Sequence, residues 1–451
     1  MLDRHHVPRE VEEFCARVAS RSLVVGIVGM GYVGIPLALS ALSKGFRVIG
    51  FDIDRNRVDG LNSGLRSISH IDMTEIKQGL AEGRFEATAD FSRLAELDAI
   101  LIAVPTPLNR YREPDLSYVI TTVEAIGKTL RRGQLVVLES TTYPGTTAEV
   151  IRPQLEALSG LRSGKDFFLA YSPEREDPGN DQFNTGNIPK VIGGDSAGAL
   201  RMADAFYSAI VVRTVPVSSA TTAEAVKLTE NIFRAVNIAL VNELKVVYNA
   251  MGLDIWEVVE AAKTKPFGYM PFYPGPGLGG HCVPIDPFYL TWKAREYDIS
   301  TRFIELAGQI NTRMPYLVVE RLAEAVDAMV GKGLSGARVL ILGIAYKKNV
   351  DDMRESPALK LIELIQKRGA HVDYHDPLIP VIPATREHMD LAGRSSVPIN
   401  RESLSRYDAV LIATDHDHVD YHTVAAASKV VLDTRNACER AGVRAVNVVK
   451  A

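Results

Sequence analysis

The sequence lacks the features that would indicate a secreted, membrane-bound or nucleic-acid-binding protein. Its 451 residues include only three cysteines, Cys15, Cys282 and Cys438, which are too few for a disulfide framework and suit a reducing compartment. The 51 basic and 55 acidic residues leave a net charge of −4, so nothing attracts nucleic acid or anionic membrane globally. The first 20 residues lack the apolar core of a signal peptide. We therefore expect a cytoplasmic protein without nucleic-acid or membrane partners.

Long uninterrupted apolar runs are also missing. The uncharged stretch 23–42 is long enough to cross a bilayer, but glycines and a proline interrupt it. Residues 29–34 read G-x-G-x-x-G between a β-rich run at 23–28 and a helical pattern at 35–43, and a second strand follows at 46–52. In such a βαβ unit the first glycine makes the turn, the second admits a pyrophosphate and the third lets the helix pack closely. This context favours a dinucleotide site over an ordinary glycine turn.

The end of the second strand indicates which dinucleotide binds. Asp52 stands where an acid accepts hydrogen bonds from ribose hydroxyls and repels a 2′-phosphate, which favours NAD. Arg57 nearby keeps NADP open as an alternative. Polar residues also follow later strands, at Thr106, at 140–141 and at 172–174. Each one alone is better explained as a cap or turn residue, but together they predict a ligand crevice at the carboxyl ends of parallel strands.

The order of elements predicts the architecture. Strand and helix patterns alternate up to about residue 217, long amphipathic helical patterns then surround a glycine- and proline-rich loop at 271–284, and a new series of strands and helices starts near residue 337. No fixed-period repeat is present. We predict an α/β fold of two Rossmann-like doubly wound parallel-sheet domains, spanning 1–216 and 331–451 and joined by a helical middle segment at 217–330.

The glycine-rich loop holds the candidate nucleophile, Cys282. An unpaired cysteine is more often a small buried hydrophobe, and Cys15 and Cys438 are interpreted that way. Cys282 differs because the glycines around it allow backbone and substrate to approach closely. Asp286, four residues later, is a candidate base or a residue that orients one. His281 is interpreted as a residue that shapes the loop.

A long helical pattern carries a second group of candidates. Glu224, Lys227 and Asn231 share one helix face. A solvated face is the ordinary explanation, but a cation beside an amide donor can also hold an oxyanion. An NAD fold combined with a thiol indicates oxidation through a thiohemiacetal to a thioester, followed by hydrolysis. Thr141 and Glu174 are the candidates to position and activate the water.

Several motifs in the same order resemble the nucleotide-sugar 6-dehydrogenases, the UDP-glucose/GDP-mannose dehydrogenase superfamily. The resemblance covers nearly the whole chain after about residue 20. The motifs are the glycine turn, "PTP" at 105–107, "EST" at 139–141, "SPER" at 172–175, "AEAVKLTENIFRAV" at 223–236, "PGPGLGGHC" at 274–282, "GIAYKKNVDDMRESP" at 343–357 and "DTRN" at 433–436. The resemblance implies that a sugar C6 alcohol is oxidised to a carboxylate with two NAD⁺ and one water.

The resemblance also implies roles for individual residues. Cys282 corresponds to the thioester-forming nucleophile and Asp286 to its acid/base partner. Lys227 and Asn231 resemble the clamp on oxyanion and substrate, while Thr141 and Glu174 resemble the residues that hold the hydrolytic water. The positions expected along NAD are Gly29, Met30, Gly31, Tyr32, Val33, Gly34, Asp52, Arg57, Thr106, Thr141 and Arg354.

The substrate residues implied by the resemblance come from several of these motifs. The positions expected at the UDP-sugar are Glu174, Arg175, Lys227, Asn231, Arg234, Phe272, Tyr273, Gly279, Lys347 and Arg435. A diphosphate needs cations, and Lys347 and Arg435 stand in motifs at strand ends. No metal site is assigned.

Departures from the family pattern indicate a branch. UDP-glucose dehydrogenases usually have lysine before the aspartate of the cysteine loop, whereas this chain has Ile285. Their arginine from a neighbouring subunit is not evident, and Lys263 and Lys265 occupy that region. These features resemble the branch that oxidises N-acetylated sugars, with UDP-N-acetylglucosamine favoured, and Arg175 and Arg234 also fit that branch. The aromatic residues Phe267, Phe272 and Tyr273 either accommodate an acetamido group or simply pack.

Alternatives remain at the level of the sequence. UDP-N-acetylmannosamine, UDP-N-acetylgalactosamine and UDP-glucose are the other candidate substrates. A two-electron hydroxyacid-type dehydrogenase has similar architecture but needs no thiol. A non-catalytic sensor of NAD or nucleotide sugar would bind both ligands without producing NADH. The long middle helices are expected to pair subunits into a homodimer or a higher homo-oligomer, as the resemblance implies.

Overall fold

A computed structural model describes residues 8–65, 71–109, 111–176, 182–183, 185–280, 283–385 and 388–451. The candidates His281 and Cys282 lie outside these residues. The chain divides into two compact units. The first comprises residues 1–230 and 288–299, and the second comprises residues 231–287 and 300–451. No helix in the described ranges combines the length and the apolar content that a membrane crossing requires.

The helices follow the predicted order along the chain. They are α1 (Arg9–Ala19), α2 (Gly34–Ser43), α3 (Arg55–Asn62), α4 (Thr74–Ala81), α5 (Ser117–Thr129), α6 (Arg152–Ser159), α7 (Ala197–Ser208), α8 (Ala220–Ala250), α9 (Ile255–Ala262), α10 (Asp286–Ala294), α11 (Arg302–Val330), α12 (Pro357–Lys367), α13 (Arg401–Ser405), α14 (Tyr421–Ala427) and α15 (Ala437–Arg440). The boundary between the units falls inside α8 and again inside α10.

The first unit is built on an eight-stranded sheet with the order β3-β2-β1-β4-β5-β6-β7-β8. Its strands are β1 (Val24–Val28), β2 (Arg47–Phe51), β3 (Phe85–Thr88), β4 (Ala99–Ile102), β5 (Leu135–Leu138), β6 (Phe168–Tyr171), β7 (Lys190–Gly194) and β8 (Thr214–Val217). The chain order reverses between β1 and β4, and this reversal creates the crevice where open α/β sheets bind ligands.

One pairing in this sheet departs from the predicted parallel arrangement. β6 and β7 run antiparallel, while the other neighbouring strands of the sheet pair in parallel. Parallel neighbours need a crossover connection, usually a helix. The described residues between β6 and β7 form no helix, so the chain returns to the sheet in the opposite direction.

Hydrophobic clusters cover both faces of this sheet. Val25 and Ile27 of β1 pack with α1, α2 and α7 on one face. Val28 of β1 and the alternate residues of β4 pack with α5 and α6 on the other. Successive residues of a strand point to opposite faces, so a strand buried on both sides reads as the continuous apolar run seen in the sequence. This confirms the predicted doubly wound fold.

The second unit contains a five-stranded parallel sheet with the order β10-β9-β11-β12-β13. Its strands are β9 (Arg338–Leu342), β10 (His371–His375), β11 (Ala409–Ile412), β12 (Val431–Asp433) and β13 (Val448–Lys450). α11 and α12 pack on one face, and α13 and α14 pack on the other. The strand order again reverses, at β9 and β11, which places a second ligand crevice in this unit.

Candidate active site

The glycine turn after β1 has the geometry that a dinucleotide requires. Gly29 has φ +99°, and a Cβ there would lie 2.6 Å from the Ala103 carbonyl oxygen. A Cβ on Gly34 would lie 2.0 Å from the Gly29 oxygen, whereas a Cβ on Gly31 would meet no described atom within 4 Å. Packing therefore requires the outer glycines. The middle one leaves room for a pyrophosphate above the N-terminus of α2.

Asp52, at the end of β2, is held rigidly. Its side chain is 6% exposed, and its carboxylate accepts the backbone N–H of Met30 and of Asp54, each at 3.0 Å. Arg57 donates to the same carboxylate at 3.0 Å. The glycine turn and this acid are thus joined directly, as a ribose-binding carboxylate needs. These residues fit NAD, which accepts hydride when bound.

The strand-end threonines are bonded to one another within the first unit. Thr106 Oγ1 donates to the Thr141 carbonyl at 2.7 Å, and Ser140 Oγ donates to the Val104 carbonyl at 2.7 Å. Tyr289 donates its hydroxyl hydrogen to the carbonyl of Thr106. The segments after β4 and β5 are therefore connected at the carboxyl edge of the sheet, where the sequence predicts the crevice.

Glu174 adjoins a buried polar cluster that sequence reasoning missed. Lys190 Nζ donates to Glu139 at 2.7 Å and lies 3.5 Å from a Glu174 oxygen, while Tyr207 donates its hydroxyl hydrogen to Glu139. Burial alone would lower the pKa of Lys190, but Glu139 and Glu174 outweigh it and raise that pKa. The other Glu174 oxygen accepts the backbone N–H of Arg175 at 2.7 Å. This arrangement fixes the carboxylate of Glu174.

Two of the three candidates on the α8 face have different partners. Lys227 is 7% exposed, and its ammonium donates to the backbone carbonyl of Glu174. Glu224 is fully buried and accepts the backbone N–H groups of Gly145 and Thr147 at 2.6 and 2.8 Å. Burial raises the pKa of Glu224 to about 7. Glu224 therefore organises the backbone after β5, whereas Lys227 adjoins Glu174.

The second unit holds the remaining α8 candidates. Asn231 Nδ2 donates to Asp286 Oδ2 at 2.5 Å, and Arg234 donates to Asn231 Oδ1. These two bonds determine the orientation of the amide, because its oxygen must face the guanidinium and its nitrogen the carboxylate. Asp286 is 2% exposed. The structure thus brings together the predicted base and the predicted amide donor.

The described part of the glycine-rich loop packs tightly within the second unit. A Cβ on Gly279 would lie 2.7 Å from Cβ of Tyr346, and the N–H of Gly280 donates to the Arg354 carbonyl at 3.2 Å. The loop backbone is therefore held against the segment that contains Lys347, through residues on both sides of it. Only glycine fits at Gly279, which lies three residues before Cys282.

Other predicted ligand residues have protein partners. Arg175 donates to Glu230 at 2.5 Å within the first unit. In the second unit Arg354 forms a forked pair with Asp352, with its closest contact at 2.6 Å. Arg435 donates through Nε to the Ala413 carbonyl at 3.0 Å, which leaves the end of its guanidinium beside Gly275.

Two of the three loop aromatics, Phe272 and Tyr273, are engaged in packing. Tyr273 stacks on Trp256 with ring centroids 5.6 Å apart, and its hydroxyl donates to Glu260 at 2.7 Å. Phe272 lies edge-on to Phe233 at 5.7 Å. Phe267 is 71% exposed. Packing alone accounts for Tyr273 and Phe272, and their contact with an acetamido group stays a prediction.

Comparison with known proteins finds a ligand-binding domain model for each of the two crevices. Three models of the UDP-glucose/GDP-mannose dehydrogenase family match the chain: the NAD binding domain at residues 23–211, the central domain at 221–313 and the UDP binding domain at 340–440. The chain is 36% identical over 399 residues to the UDP-N-acetyl-D-glucosamine 6-dehydrogenase of Pseudomonas aeruginosa, covering 88% of this chain and 91% of that protein.

Relatives from two further organisms extend the comparison. The UDP-N-acetyl-D-mannosamine dehydrogenase of Pyrococcus horikoshii is 36% identical over 421 residues, covering 91% of this chain and 95% of that protein. The solved UDP-D-ManNAc dehydrogenase from P. horikoshii superposes with a TM-score of 0.84 at 34% identity, over 95% of this chain and 98% of that one. The crystal structure of the NDP-N-acetyl-D-galactosaminuronic acid dehydrogenase from Methanosarcina mazei Go1 superposes with a TM-score of 0.79 at 30% sequence identity. The superposition covers 98% of this chain and 97% of that one.

One assignment follows from three observations. They are the glycine turn joined to Asp52, the second ligand crevice and the three matching domain models. The chain belongs to the UDP-glucose/GDP-mannose dehydrogenase family and is an NAD-dependent UDP-sugar 6-dehydrogenase.

Proposed function

We propose that the enzyme oxidises the C6 alcohol of a UDP-N-acetylhexosamine, with UDP-N-acetylglucosamine favoured, to the uronate through a thioester on Cys282. The product would feed the synthesis of a surface polysaccharide. The observation that carries the proposal is the environment of Lys227. Its buried ammonium bonds a backbone carbonyl, and no carboxylate among the described residues pairs with it. The positive charge is therefore retained for an oxygen that becomes anionic during the reaction.

Asn231 supports the same assignment from the second unit. One hydrogen of its amide nitrogen is committed to Asp286, and the described residues offer no acceptor for the other. An amide held by Arg234 and Asp286 is preorganised, so it can donate to an oxyanion without first reorienting. Asp286 lies four residues after Cys282 and is the candidate that accepts the proton of the thiol.

The proposed chemistry consists of two oxidations and one hydrolysis. The C6 alcohol loses a hydride and a proton to give an aldehyde. Cys282 adds to this aldehyde to form a thiohemiacetal, which loses a second hydride and a proton to become a thioester. Water positioned by Thr141 and Glu174 then cleaves the thioester to the acid and restores the thiol. NAD⁺ accepts the hydride in each oxidation.

The sugar is assigned from the loop and the relatives. Ile285 replaces the lysine that UDP-glucose dehydrogenases usually carry, which disfavours UDP-glucose. Relatives of almost equal identity are named for N-acetylglucosamine, N-acetylmannosamine and N-acetylgalactosaminuronic acid. All three names share the acetamido group. UDP-N-acetylmannosamine and UDP-N-acetylgalactosamine are therefore the main alternatives.

The setting of the enzyme is part of the same proposal. A thiol nucleophile must stay reduced, which the cytoplasm provides. Exposed apolar side chains on the long helices support a homodimer or a higher homo-oligomer, among them Phe233, Leu240, Val246, Val247 and Phe303. In this proposal residues 1–216 bind NAD and residues 331–451 bind the UDP-sugar. Residues 217–330 carry the glycine-rich loop with Cys282 and pair the subunits.

Stoichiometry tests the reaction. The protein is incubated with NAD⁺ and each of four UDP-sugars, the three acetamido sugars and UDP-glucose, and the NADH formed is measured per sugar consumed. We expect two NADH per sugar, with UDP-N-acetylglucosamine turned over most efficiently. One NADH per sugar would indicate a two-electron dehydrogenase. Binding of both ligands without NADH would indicate a sensor, and either result would refute the proposal.

Cysteine replacement tests the covalent step. Cys282→Ser is expected to lower uronate formation by several orders of magnitude. The reason is that an oxygen ester on serine forms and hydrolyses less readily than a thioester on cysteine. Cys15→Ser is the matched control, since Cys15 lies on α1 and has no proposed role. Mass spectrometry measures the uronate yield of both variants. If Cys282→Ser gives the same yield as Cys15→Ser, Cys282 is not the nucleophile.

A further inference from the structure

A lysine that the mechanism does not use lies buried in the second unit. Lys245, near the end of α8, is 8% exposed, and its Nζ has no hydrogen-bond partner among the described residues. Lysine is almost never buried without a partner, because an ammonium removed from water loses strong hydration. A site of this kind indicates that the partner is something other than the protein.

The charges around Lys245 make the locality cationic. Arg435 follows β12 in this unit, and its positive charge adds to the effect of burial in lowering the pKa of Lys245 to about 8. Asp433 opposes the shift, but its carboxylate already accepts the backbone N–H of Arg435 at 2.9 Å and that of Cys438 at 2.8 Å. Asp415 also acts on Arg435, but it pairs with Arg440. Lys245 and Arg435 therefore share a region in which the nearby carboxylates of Asp433 and Asp415 are already engaged.

The glycine-rich loop reaches the same place. The N–H of Gly275 donates to Asn242 Oδ1 at 3.0 Å, and Asn242 lies one turn before Lys245 on α8. Asn242 also donates to Asn311 Oδ1 at 3.0 Å, which anchors it to α11. A Cβ on Gly275 would lie 2.6 Å from Nη1 of Arg435. The loop, α8 and the end of β12 thus converge, and a side chain at Gly275 would displace the guanidinium.

We propose that Lys245 binds the diphosphate of the nucleotide sugar together with Arg435. The inference rests on a UDP-sugar being the substrate, and it adds a phosphate-binding residue on the central helix to the positions expected from sequence. A diphosphate supplies the anionic oxygens that two adjacent cations require. Its arrival stabilises the charged form of Lys245 at the same time. The positive charges exclude a metal cation from this position.

Calorimetric titration with UDP and with uridine tests the assignment. UDP is expected to bind Lys245→Met about 10- to 100-fold more weakly than the unchanged protein, the range for losing one charge-assisted hydrogen bond. Uridine lacks phosphates, so its affinity is expected to stay the same. Lys245→Arg keeps the charge and is expected to bind UDP more tightly than Lys245→Met. Lys429→Met is the matched control, because that lysine pairs with Asp408 in the same unit.

A second readout reports the charge of Lys245 itself. At pH 8 the unliganded ammonium is about half protonated, so UDP binding is expected to take up about half a proton. The uptake is obtained from titrations in buffers that differ in ionisation enthalpy, and it is expected to disappear in Lys245→Met. Lys245→Gln serves the same purpose if the methionine variant does not fold.

The outcomes separate this proposal from the proposed function. Unchanged UDP affinity together with unchanged proton uptake in Lys245→Met would refute the role of Lys245 alone. An equal loss of uridine and UDP affinity would place the effect on the nucleoside and refute the diphosphate assignment. Failure of the unchanged protein to bind UDP would instead refute the UDP-sugar substrate.

Discussion

Two lysines of this protein are buried to a similar extent but have opposite surroundings. Lys190 in the first unit is 4% exposed and donates to Glu139 and to the Pro173 carbonyl, at 2.7 and 3.2 Å. Lys245 in the second unit is 8% exposed and has no partner among the described residues. The pKa of Lys190 is raised by neighbouring carboxylates, whereas burial and Arg435 lower that of Lys245. Burial alone therefore does not indicate what a lysine does.

The difference separates a structural charge from a charge kept for a ligand. Lys190 completes a cluster with Glu139 and Tyr207 that fixes Glu174, so the protein itself satisfies the charge. Lys245 violates the rule that buried charges are paired, and such violations are concentrated at functional sites. The following predictions test this contrast, starting with the largest expected effect.

Breaking the paired cluster is expected to have the largest effect on stability. Lys190→Met leaves the buried carboxylate of Glu139 without its counter-charge and should lower the free energy of unfolding by about 3–5 kcal/mol. Chemical denaturation followed by circular dichroism measures this change. The double variant Glu139→Gln/Lys190→Met should recover part of the loss, because no uncompensated charge remains. A loss below about 1 kcal/mol in Lys190→Met would contradict the assignment of a structural ion pair.

Removing the unpaired lysine is expected to have the opposite sign. At pH 7 the folded protein must keep a charge on Lys245 in surroundings that lower its pKa from 10.5 to about 8. That interval corresponds to on the order of 3 kcal/mol, so Lys245→Met should raise the free energy of unfolding of the ligand-free protein by about this amount. Denaturation at pH 7 measures it. A destabilised Lys245→Met would show that the lysine serves the fold instead of a ligand.

The pH dependence of this gain follows from the direction of the shift. The unfolded chain binds the proton of Lys245 more tightly than the folded chain does. The free energy of unfolding of the unchanged protein therefore rises as the pH increases from about 8 to 10.5. The advantage of Lys245→Met should therefore be complete below pH 8 and be lost by about pH 10.5. Denaturation at pH 7, 9 and 10.5 follows it. An advantage that stays constant with pH would assign the effect to packing alone.

A glycine substitution in the loop is expected to have the smallest effect on stability. The Cβ of Gly275→Ala would meet the flexible end of Arg435, which can move, so the free energy of unfolding should fall by less than about 1 kcal/mol. UDP affinity should nevertheless fall several-fold, because the displaced guanidinium no longer faces the phosphate. Gly333→Ala is the control, since a Cβ there meets no described atom within 4 Å. If UDP affinity is unchanged in Gly275→Ala, Arg435 does not contact the diphosphate.

Much of the fold was predictable because it depends on local patterns. Buried parallel strands read as continuous apolar runs, and the G-x-G-x-x-G turn between a strand and a helix is enough to identify the nucleotide unit. The antiparallel pairing of β6 with β7 was not predictable, because strand direction depends on the course of the whole connection between them. The hydrogen bond between Asn231 and Asp286 was not predicted either, because these residues are 55 positions apart in the chain and only the fold brings them together.

The two buried lysines show where sequence reasoning ends. Glu139 stands inside a recognised motif, yet its partner Lys190 is 51 residues away at the start of an apolar strand. Lys245 reads as one more polar residue on an amphipathic helix. Neither spacing nor residue type distinguishes these lysines from solvated ones, because partners that are distant in the sequence determine their burial.

The sequence by itself determined the fold class, the family, the NAD turn and the position of the cysteine loop, since each depends on residues that are close together in the chain. Only the tertiary structure decided which charges are paired, which carboxylates bind backbone and which ammonium has no partner. The physical reason is that desolvation and Coulomb interactions act through space. Two lysines of identical chemistry therefore became a structural residue and a candidate ligand residue only after the chain had folded around them.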